Sequence, residues 1–216
     1  MAKPYYEFFC PVKVIAGHAA LEHIPFELAT LGATRPLIIT DKGVRSNNLL
    51  APIEAAFESS ETVIGHIFDD VPPDSSLETV RKAAQLYRDN NCDAIIAVGG
   101  GSVIDTSKAT NILVSEGGDD LLKYSGAHNL PKPLKPFFVI PTTSGTGSEV
   151  TMVAVVSDNQ KKCQNAICIV LLDATCRYFR PTYDANTATA PDCYDSNGCD
   201  DTCGRSVYLP CSQSNF

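Results

Sequence analysis

Short, uninterrupted apolar runs alternate with helical periodicity along most of the chain before residue 163. Residues 36–40, 94–98 and 137–140 (PLIIT, AIIAV and FFVI) have the length and composition of strands buried on both faces. Further strands are predicted at 63–68 and at 8–15, the latter at an edge or in a hairpin. Helical periodicity is predicted for four segments, which are 19–31, 49–58, 77–90 and 102–113. Strands that alternate with helices through short connections indicate an α/β fold with a doubly wound, mainly parallel sheet.

Two glycine-rich segments follow two of the predicted buried strands. Residues 99–108 (GGGSVIDTSK) come after the strand 94–98, and residues 141–149 (PTTSGTGSE) come after 137–140. Glycines let backbone N–H groups approach a diphosphate, and a helix N-terminus adds partial positive charge. Each segment read alone is also compatible with a tight turn, and the hydroxyls of the second are common in turns. Their occurrence after two strands of one sheet favours a nucleotide cofactor, held by the candidate residues Gly99, Gly100, Gly101, Ser102, Thr142, Thr143, Ser144, Gly145, Thr146 and Gly147.

Acidic residues at other element ends have two interpretations each. Asp41 follows the strand 36–40, where it is either a turn residue or an acceptor for the ribose 2′-hydroxyl of a dinucleotide. The second interpretation favours NAD over NADP, because a carboxylate repels the additional phosphate. Asp105 and Lys108 lie one helical turn apart, as in a solvated ion pair. Asp74 or Ser75 is expected to cap the helix 77–90.

Composition and charge narrow the class of protein. The chain has 216 residues, of which 44% are hydrophobic and 19% charged, as in an ordinary soluble globular protein. A formal net charge of −8 without a basic tract argues against nucleic acid and anionic membranes as partners. The first residues contain no signal-peptide core, so a cytoplasmic location is expected. The predicted strand 8–15 offers an edge for pairing, which is compatible with a homo-oligomer.

Cysteines are concentrated near the end of the chain. Seven of the nine lie from Cys163 onward, in a segment rich in Asp, Asn and Thr and without helical or strand periodicity beyond 167–172. A disulfide framework requires an export signal, and a zinc site requires closely paired ligands. Only Cys199 and Cys203 are close, the segment has no histidine, and the four histidines of the chain have no metal-binding spacing. Neither interpretation fits the pattern.

Three motifs carry a resemblance to a known family: residues 40–43 (TDKG), 99–109 and 141–151. Through them the segment 1–162 resembles the iron-containing (group III) alcohol dehydrogenases. The resemblance implies an N-terminal, Rossmann-like nicotinamide-dinucleotide-binding domain and a C-terminal helical domain with a divalent metal. The metal polarises the alcohol oxygen so that hydride passes from the carbinol carbon to NAD. It also implies that Asp105 lies near the nicotinamide and that Lys162, or its neighbour Lys161, reaches cofactor hydroxyls. The implied metal ligands, an Asp and a His four residues apart followed by two histidines, are absent from this sequence.

The segment 163–216 is interpreted as an irregular tail that does not share the family resemblance and arises from an out-of-frame translation. Codons can be chosen for residues 179–189 that give LDPRMTLTLPP when they are read one base later. This string resembles a sequence motif that the family has after its cofactor-binding segment. The same shift turns 197–210 into a string that contains DVMTH and then AVEAYTC, and 163–166 into VKTR. The chain is therefore expected to keep cofactor binding in 1–162, to lack the helical metal domain, to bind no iron, and to show no metal-dependent turnover. Alternatives are an enzyme of the related glycerol dehydrogenase or dehydroquinate synthase type, and a stand-alone nucleotide-binding module with a genuine cysteine-rich extension.

Overall fold

The computed structural model describes residues 12–125, 130 and 132–157, together with the backbone of two later strands. All of these residues belong to one compact unit, Met1–Thr182. Its strands are β1 Lys13–Gly17, β2 Pro36–Thr40, β3 His66–Phe68, β4 Ala94–Gly99, β5 Phe137–Pro141, β6 Val153–Val156, β7 Ile167–Val170 and β8 Cys176–Pro181. Its α-helices are α1 Ile24–Thr30, α2 Lys42–Ser46, α3 Ala51–Glu58, α4 Leu77–Asp89 and α5 Gly101–Glu116. Short 3₁₀ helices span Ala20–His23 and Leu121–Tyr124.

Six strands form one sheet in the order β1-β8-β5-β4-β2-β3. Every neighbouring pair in it is parallel, so all six carboxyl ends lie at the same edge. The chain runs outward from β2 to β3, returns to β4 on the other side of β2, and continues outward to β5. The strand order therefore reverses between β2 and β4, which is where ligands bind in open α/β sheets. This sheet confirms the predicted α/β, mainly parallel fold.

Apolar side chains leave the sheet in both directions and meet helices on each face. Ile38, Ile96 and Phe138 point to one face, where they are buried with residues of α1 and α3. Ile39 and Val139 point to the other and pack with residues of α4 and α5. Strands buried on both faces explain why β2, β4 and β5 are apolar at nearly every position.

A further layer covers α5 on the side away from the sheet. The strand β6 pairs antiparallel with β7 in a separate two-stranded sheet. Val156 of β6 is buried against Ala109 and Ile112 of α5 and against residues of α4. Because α5 is covered by protein on opposite sides, polar residues along it such as Lys108 and Asn111 are also buried.

The observed helix boundaries and N-caps differ from the predicted ones in several places. The helix expected over 19–31 is divided into a 3₁₀ turn and α1, because Pro25, near the start of α1, has no N–H to continue the preceding turn. The prediction that Asp74 or Ser75 caps α4 is wrong: Ser76 is the N-cap, and its Oγ accepts a hydrogen bond from the Thr79 amide at 3.2 Å. The turn that one interpretation of Asp41 predicts continues as α2, and Asp41 is the N-cap of this helix.

Regular structure extends past residue 162, since β7 and β8 lie within 163–216, the segment interpreted as an irregular tail. The domain boundary at 162 and the out-of-frame interpretation stay predictions, and 182–216 lie outside the described residues. Within the described part of the chain, no helix has both the length and the apolar character needed to cross a membrane.

Candidate functional site

The two glycine-rich loops meet at the carboxyl edge of the sheet. The register of β4 and β5 places Gly99 opposite Pro141, and the Thr142 amide donates to the Gly99 carbonyl at 3.1 Å. A Cβ atom on Gly100 would lie 3.0 Å from Thr143 Oγ1. The absence of side chains on the glycines therefore allows the threonine-rich loop to approach the start of α5 directly.

Gly101 extends the same contact along the first turn of α5. A Cβ atom there would lie 3.0 Å from Thr146 Cγ2 and 3.2 Å from its Oγ1. Gly99 has a different role, because a Cβ atom on it would lie 2.6 Å from Val103 Cγ2. Packing of the helix on the strand thus requires glycine at 99, whereas glycine at 100 and 101 lets the second loop approach the helix closely.

The N-terminus of α5 opens toward this loop. The helix has 16 residues and begins after Gly100, whose backbone is extended. The first amides of any α-helix lack intrahelical acceptors, and the aligned peptide dipoles place partial positive charge there. The arrangement has the chemistry of an anion site, with hydroxyls of the second loop beside it.

A cleft of about 940 Å³ lies next to the helix N-terminus. The two loops and α5 line it with Gly101, Ser102, Asp105, Thr146 and Ser148. The remaining lining comes from the segment before α4 and from the β6 region, and these residues are Pro72, Pro73, Asp74, Ser75, Ser76, Val155 and Ser157. A cleft with backbone donors, hydroxyls and two carboxylates, those of Asp74 and Asp105, suits a polar organic ligand.

Serine hydroxyls fix the walls of the cleft to one another. Ser102 Oγ donates to the Pro73 carbonyl, so this hydroxyl already has an acceptor within the protein. Ser75 Oγ donates to the Val155 carbonyl at 3.1 Å, and Ser157 Oγ donates to the Ser75 carbonyl at 2.7 Å. The segment before α4 is thereby held against both α5 and β6.

Asp105 and Lys108 are buried, unlike the solvated pair that their spacing allows. The Lys108 side chain is 2% exposed and that of Asp105 is 13% exposed. Asp105 Oδ2 accepts from the Val155 amide at 3.1 Å, while Oδ1 accepts no hydrogen bond of ordinary geometry from the described residues. Burial raises the pKa of Asp105, and the nearby Lys108 ammonium partly opposes this rise.

Asp41 ends β2 at the same edge of the sheet, but it does not line the cleft. Its Oδ1 accepts from the Val44 amide at 2.9 Å and so caps α2. The turn interpretation of Asp41 therefore accounts for Oδ1 and leaves the role of Oδ2 open to the ribose interpretation. Its place beside the β2–β4 reversal is also the place that the ribose interpretation requires.

Among the residues singled out by sequence, the structure brings the two glycine-rich loops and Asp105 together. Lys162 lies outside the described residues. Sequence reasoning missed the contribution of 72–76, of Val155 and of Ser157 to the cleft. Pro72 and Pro73 after the strand at 66–68 are typical of a loop, but the pairing that brings β6 to this loop is long-range and leaves no local sequence pattern.

A metal site can be tested against the donors present. In the ranges that the structure describes, no group of three or more His, Cys, Asp or Glu side chains could hold a metal ion. These residues therefore do not fit the iron that the resemblance implies, and we derive no step through a metal.

Comparison with known proteins decides the family. The model of the family "iron-containing alcohol dehydrogenase" matches residues 11–172. The chain belongs to this family. It is similar to a choline dehydrogenase from Bacillus subtilis (36% identical over 163 residues) and to an NAD-dependent methanol dehydrogenase from Bacillus methanolicus (33% over 155). These matches cover 73% and 72% of this chain, but only 40% of each relative.

Solved structures of the family have the same architecture. A 1,3-propanediol oxidoreductase matches with a TM-score of 0.71 at 28% identity, over 82% of this chain and 46% of its own. A sulfoacetaldehyde reductase from Bifidobacterium kashiwanohense, solved with NAD+, matches with a TM-score of 0.69 at 25% identity, over 83% and 47%. The 216 residues thus span less than half the length of these family members.

Proposed function

We propose that this chain binds NAD at the carboxyl edge of its sheet and belongs to an oxidoreductase that exchanges hydride between an alcohol and NAD. The observation that carries the proposal is the contact of the hydroxyl-rich loop with the glycine-capped N-terminus of α5. A diphosphate needs donors and positive potential without bulky side chains, and this contact supplies both. The NAD+ complex of the related sulfoacetaldehyde reductase and the name of the methanol dehydrogenase support the choice of cofactor.

Each part of the site has a role in the proposal. The amides at the start of α5, after Gly100, hold the diphosphate. The loop 142–147 supplies hydroxyls to the diphosphate or the neighbouring ribose, and its glycines keep the approach open. Asp105 stands at the cleft near the nicotinamide. Lys162 stays a candidate for the cofactor hydroxyls.

Asp41 makes NAD the proposed cofactor rather than NADP. The proposal assigns its Oδ1 to the α2 cap and its Oδ2 to the ribose 2′-hydroxyl. Asp70 follows the neighbouring strand β3 and adds negative charge at this end of the sheet, although Lys42 pairs with it at 2.7 Å. An additional phosphate would meet these carboxylates, so we expect weaker binding of NADP.

The proposal separates cofactor binding from turnover. Bound NAD accepts or donates hydride at its nicotinamide ring, while the residues of this chain bind and orient the cofactor. Because the sequence lacks the ligand set that the family resemblance implies, we propose that these 216 residues, tested as such, bind NAD without oxidising alcohols. The out-of-frame interpretation of 163–216 gives the reason for that lack.

The binding proposal is tested by calorimetric titration of the 216-residue protein with NAD. We compare it with Gly100→Ala, which places a methyl group between α5 and Thr143, and with Gly118→Ala, whose Cβ would make an ordinary 3.5 Å contact with Tyr124 Oη. Gly100→Ala should weaken NAD at least about tenfold, a change of ~1.4 kcal/mol, and Gly118→Ala should leave the affinity unchanged. Absence of NAD binding by the unaltered protein, or equal affinity for all three, refutes the proposal.

The turnover proposal has a separate assay. The protein is incubated with NAD, ferrous iron and a series of primary and secondary alcohols, and NADH is followed by its absorbance. We expect no alcohol-dependent NADH. Its formation would contradict the turnover proposal and leave the binding proposal standing.

A further inference from the structure

Lys108 occupies a place in α5 that neither the fold nor the proposed NAD contacts explain. Its ammonium group is buried under the β6 layer, with 2% of the side chain exposed. Nζ donates to the Thr151 carbonyl at 2.8 Å, to Thr151 Oγ1 at 3.1 Å and to the Val153 carbonyl at 2.7 Å. A buried ammonium is stable only with such acceptors, because burying a charge without partners costs far more than an ordinary hydrogen bond returns.

The acceptors of Lys108 lie where the hydroxyl-rich loop ends. Thr151 Oγ1 donates to the Ser148 carbonyl at 3.3 Å, and the Val150 amide donates to the Gly147 carbonyl at 3.0 Å. The contact with Lys108 therefore continues through short backbone links into the loop itself.

Asp105 holds Val155, a third residue of the segment 151–155 that Lys108 contacts. It precedes Lys108 by one helical turn, and its Oδ2 accepts from the Val155 amide at 3.1 Å. Side chains three residues apart on a helix lie on the same face, so the pair holds alternate residues 151, 153 and 155 along one line.

The start of the loop is fixed independently. The Thr142 amide donates to the Gly99 carbonyl, directly before the helix N-cap. The loop thus has one end attached to the β4–α5 turn and the other to the middle of α5. A loop with one end held at the β4–α5 turn and the other on α5 loses less conformational entropy when it orders around a ligand.

We propose that Lys108 is a positioning residue, which holds the loop 142–150 against the N-terminus of α5 so that its hydroxyls face the bound NAD. This inference rests on the proposed function, since NAD is the ligand that the loop is positioned to bind. Lys108 itself does not touch the cofactor. It acts through the carbonyl groups of Thr151 and Val153.

The test compares Lys108→Met with Arg88→Met. Methionine keeps most of the length and apolar volume of lysine but cannot donate to the carbonyl groups. Arg88 is the matched control, because it also donates to backbone carbonyls, those of Leu113 and Gly118, but at the far end of α5. We expect both variants to melt at a lower temperature, and only Lys108→Met to weaken NAD, by about tenfold.

Hydrogen exchange supplies a second measurement, which needs no ligand. In Lys108→Met the amides of 143–150 should exchange faster, while those of β4 keep the protection of the unaltered protein. If Lys108→Met does not fold, Thr151→Val removes one acceptor of the ammonium and should give a smaller change, about threefold in NAD affinity, with the same loop amides affected.

The outcomes separate this inference from the proposed function. If the unaltered protein binds NAD and Lys108→Met binds it equally well, or if loop exchange does not change, the inference is overturned and the proposed function stands. If Arg88→Met weakens NAD as much as Lys108→Met, the effect belongs to general stability and the inference is overturned. If the unaltered protein binds no NAD, the proposed function fails and the inference fails with it.

Discussion

Because the two loops approach each other closely, the effect of Gly101→Ala on the free energy of unfolding should change sign when Thr146 is replaced by alanine. Gly101 lies in the first turn of α5 with an ordinary helical backbone, so alanine is conformationally allowed there. Alanine in place of glycine within a helix is more favourable by roughly 0.5–1 kcal/mol, because the unfolded chain loses freedom. Against this gain, the new methyl group would lie 3.0 Å from Thr146 Cγ2 and 3.2 Å from Oγ1.

Contacts at these distances force the threonine to move. Overpacking of this kind costs about 1–3 kcal/mol where neighbours are held, and the exposed Thr146 side chain puts the cost near the lower end. Gly101→Ala alone should therefore be neutral or destabilising by no more than about 0.5 kcal/mol. In a Thr146→Ala background the nearest threonine atom that remains is Cβ, at an ordinary 3.5 Å. There, the same substitution should stabilise by roughly 0.5–1 kcal/mol.

The assay is urea unfolding of the four proteins of this double-mutant cycle, followed by circular dichroism. We expect a coupling energy of about 1 kcal/mol, well above the ~0.3–0.5 kcal/mol within which distant sites are additive. Additive effects would mean that the loop does not approach the helix as described, and would remove the observation on which the proposed function depends.

Two further predictions concern buried titratable groups. Burial raises the pKa of Asp105 above its usual 3.8, so its contribution to stability is fully present below about pH 4 and is lost as the pH rises through the folded-state value. Asp105→Asn should remove this loss, and urea unfolding from pH 4 to 8 should show a flatter profile for the variant; identical slopes would contradict the assignment. Burial also raises the pKa of the Cys92 thiol from 9.0 to about 11. At pH 8 the fraction of Cys92 present as thiolate is then about a hundredfold lower in the folded than in the unfolded protein. Iodoacetamide should therefore modify folded Cys92 about a hundredfold more slowly, which mass spectrometry of the labelled peptides measures.

The sheet could be predicted from sequence because its central strands carry a local signal. β2, β4 and β5 are apolar at almost every position, since helices cover both faces, and few other structures require such short apolar runs. Parallel strands have their carboxyl ends at one edge, so the position of the two glycine-rich loops at that edge followed directly. The family match over 11–172 is consistent with the resemblance that these motifs carry.

Details that depend on competition between neighbouring residues were harder to predict. Three polar residues, 74–76, precede α4, and each type is a good N-cap. Ser75 Oγ instead donates to Val155, which leaves the cap to Ser76. The choice between adjacent serines is thus made by β6, a strand that is 80 residues away in sequence.

The same strand explains why the spacing of Asp105 and Lys108 was ambiguous. A carboxylate and an ammonium one turn apart are usually a solvated pair, and on an uncovered helix they would be. The β6 layer removes them from water, and the ammonium then bonds to carbonyl groups at 2.7 and 2.8 Å rather than to the carboxylate at 3.9 Å. Carbonyl groups at the end of a loop can accept from a buried lysine only if the loop is brought to the helix. Burial of this one charge therefore couples the packing of β6 on α5 to the shape of the cleft beside the helix N-terminus.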